Sequence, residues 1–349
     1  MRSTRYKVLP YEAACYREDS SPHFLQWWYF DAEFENGYSL MASMCPRAFG
    51  IVDKDGNKPD PTVTITITDP ELRNLHSRQY YPGEFSGDPD RMRVAIGQNR
   101  MECRDGRYQL LLNQDGLGCE LEYIPQLPPW VPTPGRGGYM PRPLVWFSQM
   151  RWAKGIYFHY SSLIPKAKVK GKLILPDREF EVKGLGYHEQ GRTNAPLQNV
   201  FTYWCWIRFY SGDWTFIFPL GESPRRTLNA KMRALLVYYR NEPVADIFDP
   251  TGLFLNHRVR RYELHPASGR EIPVEFTFRA RWPGLKLKID MELSHERECW
   301  PFQPFDNPPP LQPVWLQHFM TYKVEMRWKG RPIVLEGQGL FENMLTGAI

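Results

Sequence analysis

Gly184-Leu185-Gly186-Tyr187-His188-Glu189 and Gly337-Gln338-Gly339-Leu340-Phe341-Glu342 share one form, Gly-x-Gly-x-x-Glu, in opposite halves of the chain. Each half also opens on an aromatic stretch. Phe24-Leu25-Gln26-Trp27-Trp28-Tyr29-Phe30 begins the first, and Phe201-Thr202-Tyr203-Trp204-Cys205-Trp206 begins the second. Two openings and two endings of one pattern predict an internal duplication joined near residue 200. The expected domains are 1–196 and 197–349, in keeping with the length of 349 residues. The copies part at one chemically decisive place, where Tyr187-His188 becomes Leu340-Phe341. Only the first ending keeps titratable and hydrogen-bonding groups beside its carboxylate, and Glu342 is expected to leave its strand for solvent.

Outward from these stretches, period-2 alternation dominates and helical periodicity is scarce. Thr62-Val63-Thr64-Ile65-Thr66-Ile67-Thr68, Lys168 to Ile174 and Leu285 to Glu292 all alternate, which predicts strands with one wet face. Turn signals separate such runs at Asp53 to Asn57, Arg104-Asp105-Gly106, Gln114-Asp115-Gly116, Tyr210 to Asp213 and Lys329-Gly330. Antiparallel meanders follow, with a sandwich or barrel in each half. Two Pro-rich segments, Pro125 to Pro143 and Pro301 to Pro313, fall at matching places. Because Pro cannot donate to a ladder, both are expected to be loops, either shielding an edge strand or closing over a pocket.

Composition narrows the partners. Aromatic residues reach 15% with 12 Trp, material suited to strands and to the walls of apolar cavities. The net charge of +5 comes from 44 basic and 39 acidic residues that are interspersed, so no nucleic-acid partner is expected. The densest basic run, Arg258 to Tyr262, alternates like a strand with a solvated face. Six cysteines form no close pair and are expected to be mostly free and buried. No apolar stretch reaches the length of a membrane span, and the first 18 residues lack the apolar run of a leader, so a cytoplasmic location is expected. The Gly-x-Gly-x-x-Glu segment fails as a dinucleotide loop because the third glycine is Glu189 and no βαβ unit surrounds it. His188-Glu189 lacks the second His of a zinc protease helix, and no metal is expected.

Within a strand, alternation puts Tyr157, His159 and Ser161 on one face, Tyr187 and Glu189 on one face, and Trp27, Tyr29 and Asp31 on another. A barrel that aimed all three sets into one cavity would hold carboxylic acid, imidazole and phenol groups among rings. Such rings on an inward strand face are more often core filler than substrate wall, and His159 could be a core histidine bonded to a backbone carbonyl. The chemistry that this combination suggests is protonation of an alkene. A carbon-carbon double bond is a very weak base, so the acid must be neutral at working pH; burial among rings raises a carboxyl pKa and would keep Glu189 or Asp31 protonated. Ring faces would hold the resulting carbocation. His159 or His188 could then position a water and accept its proton.

At Gln26-Trp27-Trp28-Tyr29-Phe30, Tyr160-Ser161 with Pro165 and Gly171, and Val182 to Glu189, the chain resembles the hydroxyneurosporene synthase and AttH-like family. That family includes carotenoid 1,2-hydratases and is similar to fungal lipocalin-like Diels-Alderases and kievitone hydratases. The resemblance implies an all-β chain of two tandem calycin- or lipocalin-like antiparallel barrels. It also implies a pocket for a hydrophobic isoprenoid or polyene, without a cofactor; such a ligand leaves a peripheral membrane contact open. Its hydratases carry an Asp after Gly-Tyr-His, thought to protonate the double bond, at the position of Glu189; the family His falls on His159 and its Tyr on Tyr187. After the acid this chain departs from the pattern, with Gln190-Gly191-Arg192. The catalytic candidates are therefore Glu189, His159, Tyr187, His188 and Asp31. Those for substrate binding are Trp27, Trp28, Tyr29, Tyr157, Tyr160, Ser161, Trp204 and Trp206. A hydratase or cyclase working by acid protonation, a pericyclase that folds its substrate, and a carrier of hydrophobic ligands remain the three readings.

Overall fold

The computed structural model describes residues 15–21, 23–47, 60–130, 158–195, 200–224, 231–249, 252–266, 269–301 and 314–345. All twenty elements found there are strands. The described residues fall into two compact units, one up to Ala195 and one from Val200. In the first, β1 (Leu25–Phe34), β2 (Ser39–Cys45), β3 (Thr62–Thr68) and β4 (Asn74–Tyr80) make one meander. A second meander comprises β5 (Phe85–Gly87), β6 (Arg93–Ile96), β7 (Asn99–Arg104), β8 (Arg107–Gln114), β9 (Leu117–Pro125), β10 (Phe158–Leu175) and β11 (Arg178–Thr193). The two join where the first strand pairs with the last, giving the order β4-β3-β2-β1-β11-β10-β9-β8-β7-β6-β5.

The second unit repeats this plan. Its meanders are β12 (Tyr203–Ser211), β13 (Trp214–Glu222), β14 (Lys231–Tyr239) and β15 (Glu242–Phe248), then β16 (Leu255–His265), β17 (Arg270–Trp282), β18 (Leu285–Pro301), β19 (Val314–Trp328) and β20 (Arg331–Leu345). The order is β15-β14-β13-β12-β20-β19-β18-β17-β16, again closed by a first-to-last pairing. The duplicated motifs are those very strands: β1 lies antiparallel to β11 with Tyr29 opposite Glu189, and β12 to β20 with Trp206 opposite Glu342. Both units are all-β and antiparallel, and the pair is a tandem lipocalin-like barrel fold. Asp-Gly hairpins expected from sequence are present at Asp105-Gly106 and Asp115-Gly116, where both residues have positive φ. The Asp53 to Asn57 turn and both Pro-rich segments, apart from Pro125 to Trp130 and Pro301, lie outside the described residues.

Each sheet buries an aromatic and aliphatic face. Trp28, Phe30, Ile65, Leu110, Tyr123 and Val169 belong to the core of the first. The rolled sheet is stitched there by Gln114, whose Nε2 donates to the Val63 carbonyl at 2.8 Å. Phe209, Phe216, Phe276, Phe278 and Phe341 belong to the core of the second, with Phe209 stacked on Phe216 at 4.7 Å. Alternation in β18 follows expectation: Leu285, Leu287, Ile289 and Met291 pack inward. On the basic run, Arg260 meets Glu275 at 3.1 Å and Arg261 meets Glu292 at 2.8 Å, so its charge is balanced by facing carboxylates.

Two expectations fail. The threonine face of β3 is not wet, because Thr62, Thr64, Thr66 and Thr68 are buried along with Val63, Ile65 and Ile67. A threonine tolerates this by packing its methyl while its hydroxyl finds a partner, as Thr66 does with His76 Nδ1 at 3.0 Å and Thr68 with Asn74 Oδ1 at 2.8 Å. Nor does Glu342 leave its strand: it is half-buried, and β20 runs on to Leu345. Cys15, Cys45, Cys103, Cys119 and Cys205 form no disulfide.

Candidate active site

Register decides which side chains meet. Along β1, even residues Trp28, Phe30, Ala32 and Phe34 enter the core, so Trp27, Tyr29 and Asp31 take the other face. Tyr29 is opposite Glu189 and Asp31 opposite Tyr187. On the far side of β11, Ser162 is opposite Glu189 and Tyr160 opposite Gly191. Trp27, Tyr29, Asp31, Tyr160, Ser162, Tyr187 and Glu189 thus share the face of the sheet turned away from the unit's own hydrophobic core, and all are buried. Glu189 is thus on the face opposite to the one that packs Trp28, Phe30 and Ala32.

The carboxyl of Glu189 is held by three donors. Tyr160 Oη donates to Oε2 at 2.6 Å and Tyr187 Oη to the same oxygen at 2.7 Å. Trp27 Nε1 donates to Oε1 at 3.4 Å. The two phenol oxygens are themselves 2.6 Å apart. Trp27 reaches its place because residue 191 is glycine. A Cβ there would lie 1.9 Å from Cζ2 of the indole, so the ring lies flat across the backbone. Gly186 serves the same strand differently, since a Cβ at that position would meet the Asp31 carbonyl at 2.6 Å. Both the Gly-x-Gly pattern and the departure at Gly191 are therefore close-packing requirements of β11.

Burial is the main influence on Glu189 and pushes its pKa up to about 7. The donors Tyr160, Tyr187 and Trp27 oppose that rise, and the nearby charge of Asp31 adds to it. At neutral pH Glu189 therefore keeps its proton far more than an ordinary glutamate, whose value is 4.5. Tyr187 is driven well above the usual phenol value, first by burial and then by the charge of Glu189, so it remains a donor.

The structure does not bring the histidines to this carboxyl. His188 points into the core, stacked on Phe30 at 3.8 Å with an interplanar angle of 8°. Its Nδ1 lies 2.9 Å from the Tyr29 carbonyl, an acceptor, so Nδ1 carries the hydrogen. Burial pulls His188 down to about 3, and it acts as a neutral ring of the core. His159 and Ser161 pair with Arg192 and Gln190, on the face opposite to Glu189. Burial, with the charge of Arg192 second, lowers His159 to about 3. Trp28 packs in the core, and Tyr157 lies outside the described residues. In the second unit Trp204 and Trp206 occupy the β12 positions that match Trp27 and Tyr29. Ser162 escaped the sequence reading, although it stands two residues from Tyr160 and so shares its face. Among the described residues no group of three or more His, Cys, Asp or Glu side chains is placed to hold a metal ion.

No family model matches the chain, and no curated protein matches it by sequence. Solved structures match along its length. CghA in complex with Sch210972 aligns over 96% of this chain and 95% of its own, with a TM-score of 0.67 at 12% identity. A putative AttH from Nitrosomonas europaea aligns over 93% of each chain with a TM-score of 0.63 at 13% identity. Kievitone hydratase from Nectria haematococca aligns over 93% of this chain and 89% of its own, with a TM-score of 0.58 at 13% identity. The fold implied by the resemblance at Gln26 to Phe30 and Val182 to Glu189 is thus the fold found: this chain has the tandem lipocalin-like architecture of the AttH-like proteins, CghA and kievitone hydratase.

Proposed function

We propose that the chain is an enzyme that protonates a carbon-carbon double bond of a hydrophobic isoprenoid or polyene, with Glu189 as the acid. The observation that carries this reading is a buried carboxyl held near neutrality by burial while three donors fix its orientation. In the proposed step the π pair of the alkene forms the new C–H bond, and the O–H pair of Glu189 stays behind as carboxylate. The faces of Trp27 and Tyr29 would stabilise the cation by ~2 kcal/mol or more each when desolvated. Water captures the cation and returns its extra proton to Glu189, which completes a hydration. With water excluded, the same cation, directly or after ring closure, gives up a proton from a neighbouring carbon to the Glu189 carboxylate, which yields an isomer and restores the acid. His159 and His188 have no part in this step, since both lie on the opposite face.

Hydration is favoured as the first reaction to test because kievitone hydratase has this fold. The protein is incubated with kievitone and with a panel of linear isoprenoids and polyenes, and products are read by mass spectrometry beside Glu189→Gln. A product heavier by one water, reduced ~10²- to 10⁴-fold in the variant, is expected. An isomer of equal mass that also depends on Glu189 marks a cyclase. Turnover that Glu189→Gln leaves intact sinks the acid reading and turns attention to pericyclic chemistry, in which the pocket folds the substrate.

A further inference from the structure

Tyr160 Oη, Tyr187 Oη and Glu189 Oε2 form a triangle whose sides are 2.6, 2.6 and 2.7 Å. Every side is an O–H···O distance and needs one hydrogen between its two oxygens; without it, two lone pairs would face each other at that separation. Three sides need three hydrogens. The phenols supply one each, so a carboxylate at Glu189 leaves one side open, whichever way the phenols turn. We propose that Glu189 supplies the third hydrogen from Oε2, and that Tyr160, Tyr187 and Glu189 together form a closed ring of three O–H donors that stores the transferable proton. Tyr160 is then a positioning residue of the acid, acting through Glu189, and not a piece of apolar wall. The inference rests on the reading of Glu189 as the acid and adds where its proton sits.

Trp27 supports the assignment, because its N–H is aimed at Oε1 and marks that oxygen as the acceptor of the pair. Asp31, across the ladder from Tyr187, is the charged group whose field opposes ionisation. The ring also has a defined second state. When the Oε2–H bond breaks and the alkene takes the proton, both phenols keep theirs and both turn to donate to the new carboxylate, so the Tyr160–Tyr187 side loses its hydrogen and opens. Donors to an ionised oxygen are about twice as strong as neutral ones. The same two hydroxyls therefore hold the charged form more tightly than the neutral one, which is the differential binding that catalysis requires. A proton arriving from added water closes the ring again, so atoms and charge balance over the cycle.

The test needs no substrate. Infrared difference spectra of the full chain, wild type minus Glu189→Gln, isolate the C=O band of a protonated carboxyl at position 189 and follow it from pH 5 to pH 9. The ring predicts that band at pH 6 and its loss with a midpoint near 7. Tyr160→Phe and Tyr187→Phe should each raise the midpoint by about one unit, since each removes a donor to the carboxylate while the neutral acid keeps the other phenol as acceptor. No band at pH 6, or a midpoint that Tyr160→Phe leaves in place or lowers, overturns the proposal. Should Tyr160→Phe fail to fold, Tyr187→Phe and the wild-type titration decide alone. A ring seen without turnover of any alkene would refute only the functional reading; turnover lost in Glu189→Gln without the band would refute only the ring.

Discussion

The two copies share the first-to-last strand pairing and the glutamate on it, yet only one surrounds that glutamate with two phenols and a second carboxyl group. Aligned through the first-to-last pairing, Glu189 matches Glu342, Tyr187 matches Leu340, Tyr160 matches Trp315 and Ser162 matches Gln317. Trp27 matches Trp204, Tyr29 matches Trp206 and Asp31 matches Arg208. Two phenols have become a leucine and an indole, and a buried aspartate has become a buried arginine. The first set favours a neutral carboxyl with donors ready for its anion. The second supplies no phenol at either matching position and a guanidinium, lying 4.4 Å from the Tyr210 ring, on the strand face that bears Trp206. The backbone pattern thus positions a carboxyl in both copies, and the side chains around it differ at five matching positions.

Stability against pH sharpens this comparison most. Glu189 is neutral in the folded chain up to about pH 7, whereas in the unfolded chain it ionises near 4.5. A raised folded value means that its contribution is fully present below 4.5 and is lost as pH rises through about 7. The loss amounts to ~3 kcal/mol. Glutamine at 189 carries no charge at any pH, so denaturant midpoints of wild type and Glu189→Gln should diverge across this window, with wild type falling behind. Parallel curves would mean that Glu189 ionises in the fold as it does in water.

Asp31→Asn comes next in size. Removing the anion that opposes ionisation lowers the Glu189 value, so less of the acid is protonated at neutral pH. The expected result is turnover reduced severalfold at pH 7.5 and unchanged at pH 5. A uniform loss at both values would assign Asp31 to the substrate or to packing, and would break the contrast with Arg208.

How much of this was legible in the residues depends on what period 2 can say. The repeated Gly-x-Gly-x-x-Glu, the aromatic openings and the changed pair at 187–188 located β1, β11, β12 and β20 and the buried carboxyl of Glu189, because glycines forced by close strand approach and a spacing shared by the two halves stand in the sequence as a pattern. Alternation also grouped Trp27, Tyr29 and Asp31 correctly on one face. It could not say which face of one strand meets which face of the next. Tyr160 and Ser162 therefore reached Glu189 where His159 and Ser161 were expected, and β10 adds register shifts at Ser162 to Ile164 and Ile164 to Ala167. Residue chemistry misled in a second way: a histidine suggests titration, but His188, neutral and stacked on Phe30, behaves as an aromatic core residue. The threonines of β3 show the converse, a polar alternation that is buried and not wet.

The smallest effect is expected where the second copy is made to look like the first. Leu340 lies across from Arg208 and is buried, so Leu340→Tyr adds a phenol at the position matching Tyr187. One phenol does not make the ring, because Trp315 offers a single N–H and no acceptor where Tyr160 offers both. Glu342 would gain at most one donor, and Arg208 would still stand where Asp31 opposes ionisation. Overpacking should cost ~1 to 3 kcal/mol of stability in the second unit, with turnover unchanged and no new protonated-carboxyl band between pH 5 and 9. A new band in Leu340→Tyr would show that one phenol suffices to hold a glutamate neutral in this fold, and the weight placed on Tyr160 and Asp31 would then have to move to Tyr187 alone.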